Sequence, residues 1–225
     1  SIVIPERLVR KNLHALKPAT SFVDAALTEP LACVVLGLDD CQIRAGQTLL
    51  VLGTGPIGLM FVRLASQAGC RVWAAGRGEA RMRAAVQLGA EQVLEIPRDG
   101  KVDQEVRQAG WPPADVVIEA VGRPEVWEAA TRLVRKGGTV NFFGGCPSGT
   151  ALTLDTGLIH YSNLTLRASF HHTPHTVRRA LEHIENGTIR AGDFVDGECD
   201  LGNLPDLLAS MARGTRALIS WVRVR

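Results

Sequence analysis

The stretch "GTGPIG", residues 53–58, sets three glycines at the spacing G-x-G-x-x-G. An apolar run, "TLLVLG" (48–53), leads into it, and a segment with helical spacing, "PIGLMFVRLASQAG" (56–69), leads out. That arrangement can hold a pyrophosphate. Gly53 permits a tight turn, Gly55 lets backbone approach the anion, and Gly58 lets the helix lie close to the strand. The free N–H groups and the positive end of the helix dipole then face the phosphates. Pro56 and Ile57 complete the turn. A bare glycine pattern says little; a strand before it and a helix after it make it a dinucleotide fingerprint.

The next chemical question is which dinucleotide. A second apolar strand, "RVWAAG" (71–76), ends where an NAD site normally carries an acid for the ribose hydroxyls. Gly76 stands there, followed by Arg77, with Arg81 one helical turn on. Loss of the carboxylate removes repulsion against a 2′-phosphate, and a guanidinium supplies a charge-assisted partner for it. The pattern predicts NADP, with NAD as the alternative. The opposing reading, that both arginines are solvated surface groups, stays open.

These residues need a scaffold, and the chain alternates in the way that supplies one. Further strands are predicted at "EQVLEI" (91–96), "ADVVIEAVG" (114–122), "TVNFFGG" (139–145) and "LTLRASF" (164–170). Helices are predicted at 79–90, 102–110, 124–138 and 176–187. Strands alternating with helices imply βαβ units. The fold class is therefore α/β: a Rossmann-type, doubly wound, six-stranded parallel sheet with helices on both faces. Residues 1–47 and 193–225 break the rhythm. The first has a β-like start, "SIVIP", and one or two helices; the second has a helix, "LPDLLASMARG", and a β-like tail, "RALISWVRV".

Composition narrows the class further. A net charge of +2 over 225 residues gives no long-range attraction to nucleic acid or anionic membrane. No apolar stretch has the length of a transmembrane helix, and the first residues lack signal-peptide architecture, so a cytoplasmic protein is expected. Cys33, Cys41, Cys70, Cys146 and Cys199 include no Cys-x-x-Cys pair, which argues against a disulfide framework or a cysteine-only zinc site. His171 and His172 are adjacent, and on a strand would point to opposite faces. With His175 beyond Pro174 and no carboxylate beside them in sequence, they read as surface or turn histidines.

"TEPLACVVLGLDDCQIRAGQTLLVLGTGPIGLMFVRLASQAG", "RMRAAVQLGAEQVL", "ADVVIEAVG", "VRKGGTVNFFGG" and "HYSNLTLRASFHHTPHTVRRALEHIENGTI" occur in an order that resembles the zinc-type medium-chain alcohol dehydrogenases. The sorbitol, butanediol and threonine dehydrogenase branch is the most similar, and the resemblance covers nearly the whole chain. It implies that Gly53, Gly55, Pro56, Ile57 and Gly58 form the pyrophosphate turn and that Gly76, Arg77 and Arg81 meet the adenosine ribose. It implies that "EAVG" (119–122), with Ala120, Val121 and Gly122, lines the cleft. "FFGG" (142–145), with Phe142, Phe143 and Gly144, would lie near the nicotinamide. Glu29, in "TEPL", matches a position that approaches the catalytic metal.

Family members also carry a GroES-like catalytic domain with a Cys ligand and a Gly-His-Glu motif, neither of which has a counterpart in this sequence. The expected division is a catalytic-domain remnant at 1–35, the dinucleotide-binding domain at 36–190 and a second remnant at 191–225. No catalytic residue is assigned, and zinc is expected only in the intact family enzyme. The chain is expected to bind coenzyme, to be inactive alone, and to form a homodimer through the outer strand 164–170, which in the family pairs with its two-fold mate. Two other readings compete. One is a non-catalytic dinucleotide-binding module, or a subunit needing a partner chain. The weaker is a methyltransferase, disfavoured by Gly76, where such enzymes usually carry an acid.

Overall fold

Residues along the central strands alternate between two buried faces. In β1 (Thr48–Leu52), Leu49 and Val51 enter one apolar cluster while Leu50 and Leu52 enter another. Val72 and Ala74 against Trp73 and Ala75, in β2 (Arg71–Gly76), repeat the split, as do Val116 and Ile118 against Val117 in β4 (Ala114–Glu119). A parallel sheet covered on both sides requires such nearly continuous apolar strands.

The computed structural model describes residues 3–212 and 219–223. Around the three strands already named, the elements are α1 (Glu6–Asn12), α2 (Phe22–Ala25), α3 (Thr28–Cys41), α4 (Pro56–Gln67), α5 (Glu79–Gln87), β3 (Gln92–Glu95), α6 (Val102–Gln108), α7 (Pro124–Leu133), β5 (Val134–Phe142), α8 (Thr156–Tyr161), β6 (Thr165–Ala168), α9 (Pro174–Glu185), β7 (Val195–Asp200), α10 (Leu204–Ala212) and β8 (Ile219–Arg223). Six strands form one parallel sheet in the order β3-β2-β1-β4-β5-β6. This is the doubly wound Rossmann order, whose switch point lies between β1 and β4. The strand at 164–170 is indeed an outer one, with Thr165, Arg167 and Ala168 exposed. β7 and β8 pair as a separate two-stranded sheet.

Several expectations are corrected. The helix read over 124–138 ends at Leu133, and residues 134–138 open β5, where Val134 pairs with Ala114 before an irregularity in register. Gly137, at φ 71°, and Gly138 are poor helix formers, which explains the early exit. The described part of "SIVIP" is not a strand; it leads into α1, with Pro5 at the N-cap. α1, the short α8 and β7 had no strong sequence signal. Of the β-like tail read at 216–224, residues 219–223 form β8, while 216–218 and 224 lie outside the described residues. α3 carries Leu31, Val34, Val35 and Leu38 into the main core. Among the described residues no helix is long and apolar enough to cross a membrane.

Hydrogen bonds fasten α3 to the β5–β6 end of the sheet. The buried Asn141 amide on β5 donates to the Gly37 carbonyl (3.0 Å) and to Ser169 Oγ (2.9 Å). Ser169 Oγ in turn donates to Asp40 (2.6 Å), which also pairs with Arg167 (3.3 Å). Arg179 on α9 pairs with Asp39.

Candidate coenzyme and metal sites

The register sets Leu52, Ala75, Glu119 and Phe142 side by side at the carboxyl edge of the sheet. Gly53, Gly76, Ala120 and Phe143 therefore open onto one crevice, where ligands of doubly wound sheets bind. Gly53 has φ 104°, in the left-handed half of backbone space. A Cβ on Gly58 would stand 1.8 Å from the Gly53 carbonyl oxygen, so only glycine lets α4 leave the turn this closely. A Cβ on Gly55 would meet nothing within 4 Å. That is the open space a pyrophosphate needs. Pro56 starts α4 in its first turn, no side chain caps the helix, and Ile57 packs into the core.

The end of β2 explains itself through Thr54. A Cβ on Gly76 would lie 2.1 Å from Thr54 Oγ1, so the threonine fills the place an acid would take. Thr54 is buried and its hydroxyl has no hydrogen-bond partner, whereas buried polar groups normally have one. Arg77 is exposed beside it and donates to the Arg98 carbonyl (2.7 Å). Glu95, the register partner of Gly76, accepts the Gly78 N–H (3.1 Å). Arg81 follows in the first turn of α5. An open backbone turn, an orphan hydroxyl and neighbouring guanidinium groups fit a dinucleotide. Thr54, Glu95 and Arg98 were not foreseen; no spacing in the sequence shows that residue 54 turns toward residue 76.

Beneath the crevice lies Glu119, fully buried, whose Oε1 accepts the N–H groups of Val121 and Gly122 (both 2.9 Å). Burial pushes its carboxyl up to about 7, outweighing the N–H donors that pull it down. Val121 is exposed over the crevice. Of the two phenylalanines, Phe142 is buried and stacks on Trp127 at 4.2 Å, on the opposite face from Phe143. Phe143, half-buried, meets Phe61 edge-on at 4.9 Å, and the Gly144 carbonyl accepts the Trp127 indole N–H.

A second cluster gathers at this edge of the sheet. Donor atoms of Glu29, His171 and His172 all lie within 4.8 Å of one another. Glu29 Oε1 is 3.7 Å from His172 Nε2, and the Cys33 thiol donates to the same oxygen at 3.7 Å. Burial, reinforced by Glu29, pushes the Cys33 thiol up to about 11. The histidines therefore do have a carboxylate neighbour, contrary to the sequence reading. They also do not alternate as on a strand. β6 ends at Ala168, and His171 adopts φ 68°, so the chain turns between them and the rings stand perpendicular with centroids 5.4 Å apart.

A family model described as "Zinc-binding dehydrogenase" matches residues 56–186. D-arabinitol dehydrogenase 1 of Uromyces fabae is 28% identical over 84% of this chain and 55% of its own length. L-galactonate-5-dehydrogenase of Escherichia coli is 32% identical over 88% of this chain and 58% of its own. A Sinorhizobium meliloti 1021 structure bound to NADP superposes with a TM-score of 0.82 at 32% identity, covering 89% of this chain and 59% of that one. The chain thus spans a little over half the length of these relatives. With its Rossmann sheet and coenzyme crevice, it belongs to the zinc-binding dehydrogenase family.

Proposed function

We propose that this chain binds and orients NADP for a zinc-type alcohol or polyol dehydrogenase, in which a hydride passes between a secondary alcohol and the nicotinamide. The observation that carries the coenzyme choice is the end of β2, where Thr54 occupies the place of an acid and Arg77 follows Gly76. The NADP in the Sinorhizobium meliloti structure supports the same choice. The polyol and sugar-acid names of the relatives support the alcohol class. Bound coenzyme supplies the hydride acceptor; the chain's share is the pyrophosphate turn, the ribose contacts and the crevice walls. Five free cysteines fit a reducing, cytoplasmic setting.

Titration of the chain with NADPH and NADH, read by coenzyme fluorescence, tests this. A charge-assisted bond contributes about 1.5–3 kcal/mol, so NADPH is expected to bind tenfold or more tightly. Arg77→Ala is expected to erase most of that preference while leaving NADH binding unchanged. Equal affinities in the wild type would remove the NADP assignment.

The proposed assembly is a homodimer in which β6 pairs with its two-fold copy. Exposed Thr165 and Arg167 line that edge, and unpaired strand groups invite such pairing. Sedimentation should show a dimer that Thr165→Lys weakens. A monomeric wild type would end the proposal.

A further inference from the structure

We propose that Glu29, His171 and His172 form a three-ligand site for a divalent transition-metal ion, with zinc the best-matched, supplied wholly by this chain. One carboxylate and two imidazoles are the donor set of open zinc sites, in which a fourth position is left to water or substrate. Imidazole donors favour zinc over magnesium or calcium, which take oxygen. Donors about 2.0–2.2 Å from a tetrahedral ion lie roughly 3.3–3.5 Å apart. The Glu29–His172 pair stands at 3.7 Å, and the widest separation in the trio is 4.8 Å or less. Modest side-chain rotation closes the difference, since Glu29 and His171 are exposed and His172 is half-buried.

The fold holds the two halves of this site in place from two distant parts of the sequence. Glu29 sits in the first turn of α3 between Leu27 and Leu31, both buried. The Cys33 thiol one turn on steadies its carboxylate, the kind of outer contact that orients a metal ligand. The histidine pair is pinned on both sides. Ser169 before it is hydrogen-bonded to Asp40 and Asn141, and Thr173 after it caps α9 in a reciprocal bond pair with Thr176. Perpendicular rings let both histidines present a nitrogen toward Glu29 without stacking on each other. The site does not depend on coenzyme, and it adds to the coenzyme reading a metal that this chain itself can hold.

The test uses the untagged 225-residue chain, stripped of metal with a chelator and titrated with Co²⁺ and Zn²⁺ in the absence of coenzyme. Expected are one equivalent of saturable binding, visible d–d absorption from Co²⁺, and a rise in melting temperature with zinc. Glu29→Gln and His172→Ala are each expected to weaken binding at least tenfold, while His175→Ala, three residues away, leaves it unchanged. Far-UV circular dichroism and urea unfolding report that each variant is folded. The absence of saturable uptake would overturn the proposal, leaving Glu29 and His172 an ordinary polar contact. So would uptake unaltered in the Glu29→Gln/His172→Ala double variant, which would place the metal elsewhere. Neither outcome bears on the coenzyme assignment, which the NADPH titration judges separately.

Discussion

The glycine turn and the Glu29–His171–His172 cluster lie at the same edge of the molecule but are built by different means. The turn is contiguous: six residues carry both the backbone shape and the space for the ligand, and Gly58 fails if a single methyl is added. The cluster joins a residue on α3 to two that lie more than a hundred positions away, and depends on how α3 docks against β5 and β6. A local motif can be broken by one atom at one position. An assembled site is moved by residues that never touch the ligand.

The largest effect is expected from Gly58→Ala. The new methyl would stand 1.8 Å from a backbone oxygen, which no side-chain rotation can relieve. Overpacking of this kind costs about 1–3 kcal/mol, occasionally more, and the upper end is expected because backbone must move. Urea unfolding measures the loss, and coenzyme affinity should fall with it. Gly55→Val sharpens the point from the other side. Gly55 has ordinary φ, −70°, and empty space around its missing Cβ. Its stability should change by no more than about 0.5 kcal/mol, while NADPH affinity falls roughly a hundredfold, or about 2.7 kcal/mol. Unchanged affinity would mean the pyrophosphate does not pass over Gly55.

The same contrast explains what the sequence disclosed. The six strands, their Rossmann arrangement and the glycine turn were legible because each rests on apolar runs and short-range spacing. Thr54 beside Gly76 was not, because nothing in "GTG" shows which way the hydroxyl turns. The carboxylate beside His171 and His172 was not, because it comes from α3. The strand reading of the histidines failed where β6 stops and the backbone swings to φ 68°. Phe142 and Phe143, read together as cleft residues, part to opposite faces as consecutive strand residues must.

Glu119 tests the floor of the coenzyme crevice. Its carboxyl is raised from the usual 4.5 to about 7, chiefly by burial. The folded state therefore favours the protonated form. That stabilisation is complete below about pH 4.5 and is lost as pH rises through about 7. Each pH unit within this window is worth up to about 1.4 kcal/mol, so stability should fall by on the order of 2 kcal/mol between pH 5 and pH 7. Glu119→Gln keeps an acceptor for the Val121 and Gly122 N–H groups without the charge. Its stability should be flat over the same range by urea unfolding. A wild type equally flat would show that the carboxylate is charged and satisfied in the fold.

The smallest effect, and the one most specific to the assembled site, is expected from Ser169→Ala. Ser169 is buried beneath the histidine pair, accepts the Asn141 amide and donates to Asp40, so its hydroxyl links β5 and α3 to the segment that carries His171. Its hydrogen bonds, to Asn141 and Asp40, reach neither the glycine turn nor the donor atoms of Glu29, His171 and His172. Removing it deletes two hydrogen bonds, each worth about 0.5–1.5 kcal/mol net, and leaves Asn141 and Asp40 with one partner fewer. The chain should still fold, because Asn141 keeps the Gly37 carbonyl and Asp40 keeps Arg167. Loosening the link between α3 and the histidines should weaken Co²⁺ binding about two- to fivefold, the equivalent of roughly 0.4–1 kcal/mol. NADPH binding at the glycine turn, held by its own six residues, should not change. A Ser169→Ala chain that loses coenzyme and cobalt affinity in equal measure would show that the two sites share one support and that the contrast between them is false. One that retains full cobalt affinity would show that Thr173 and α9 alone position the histidines.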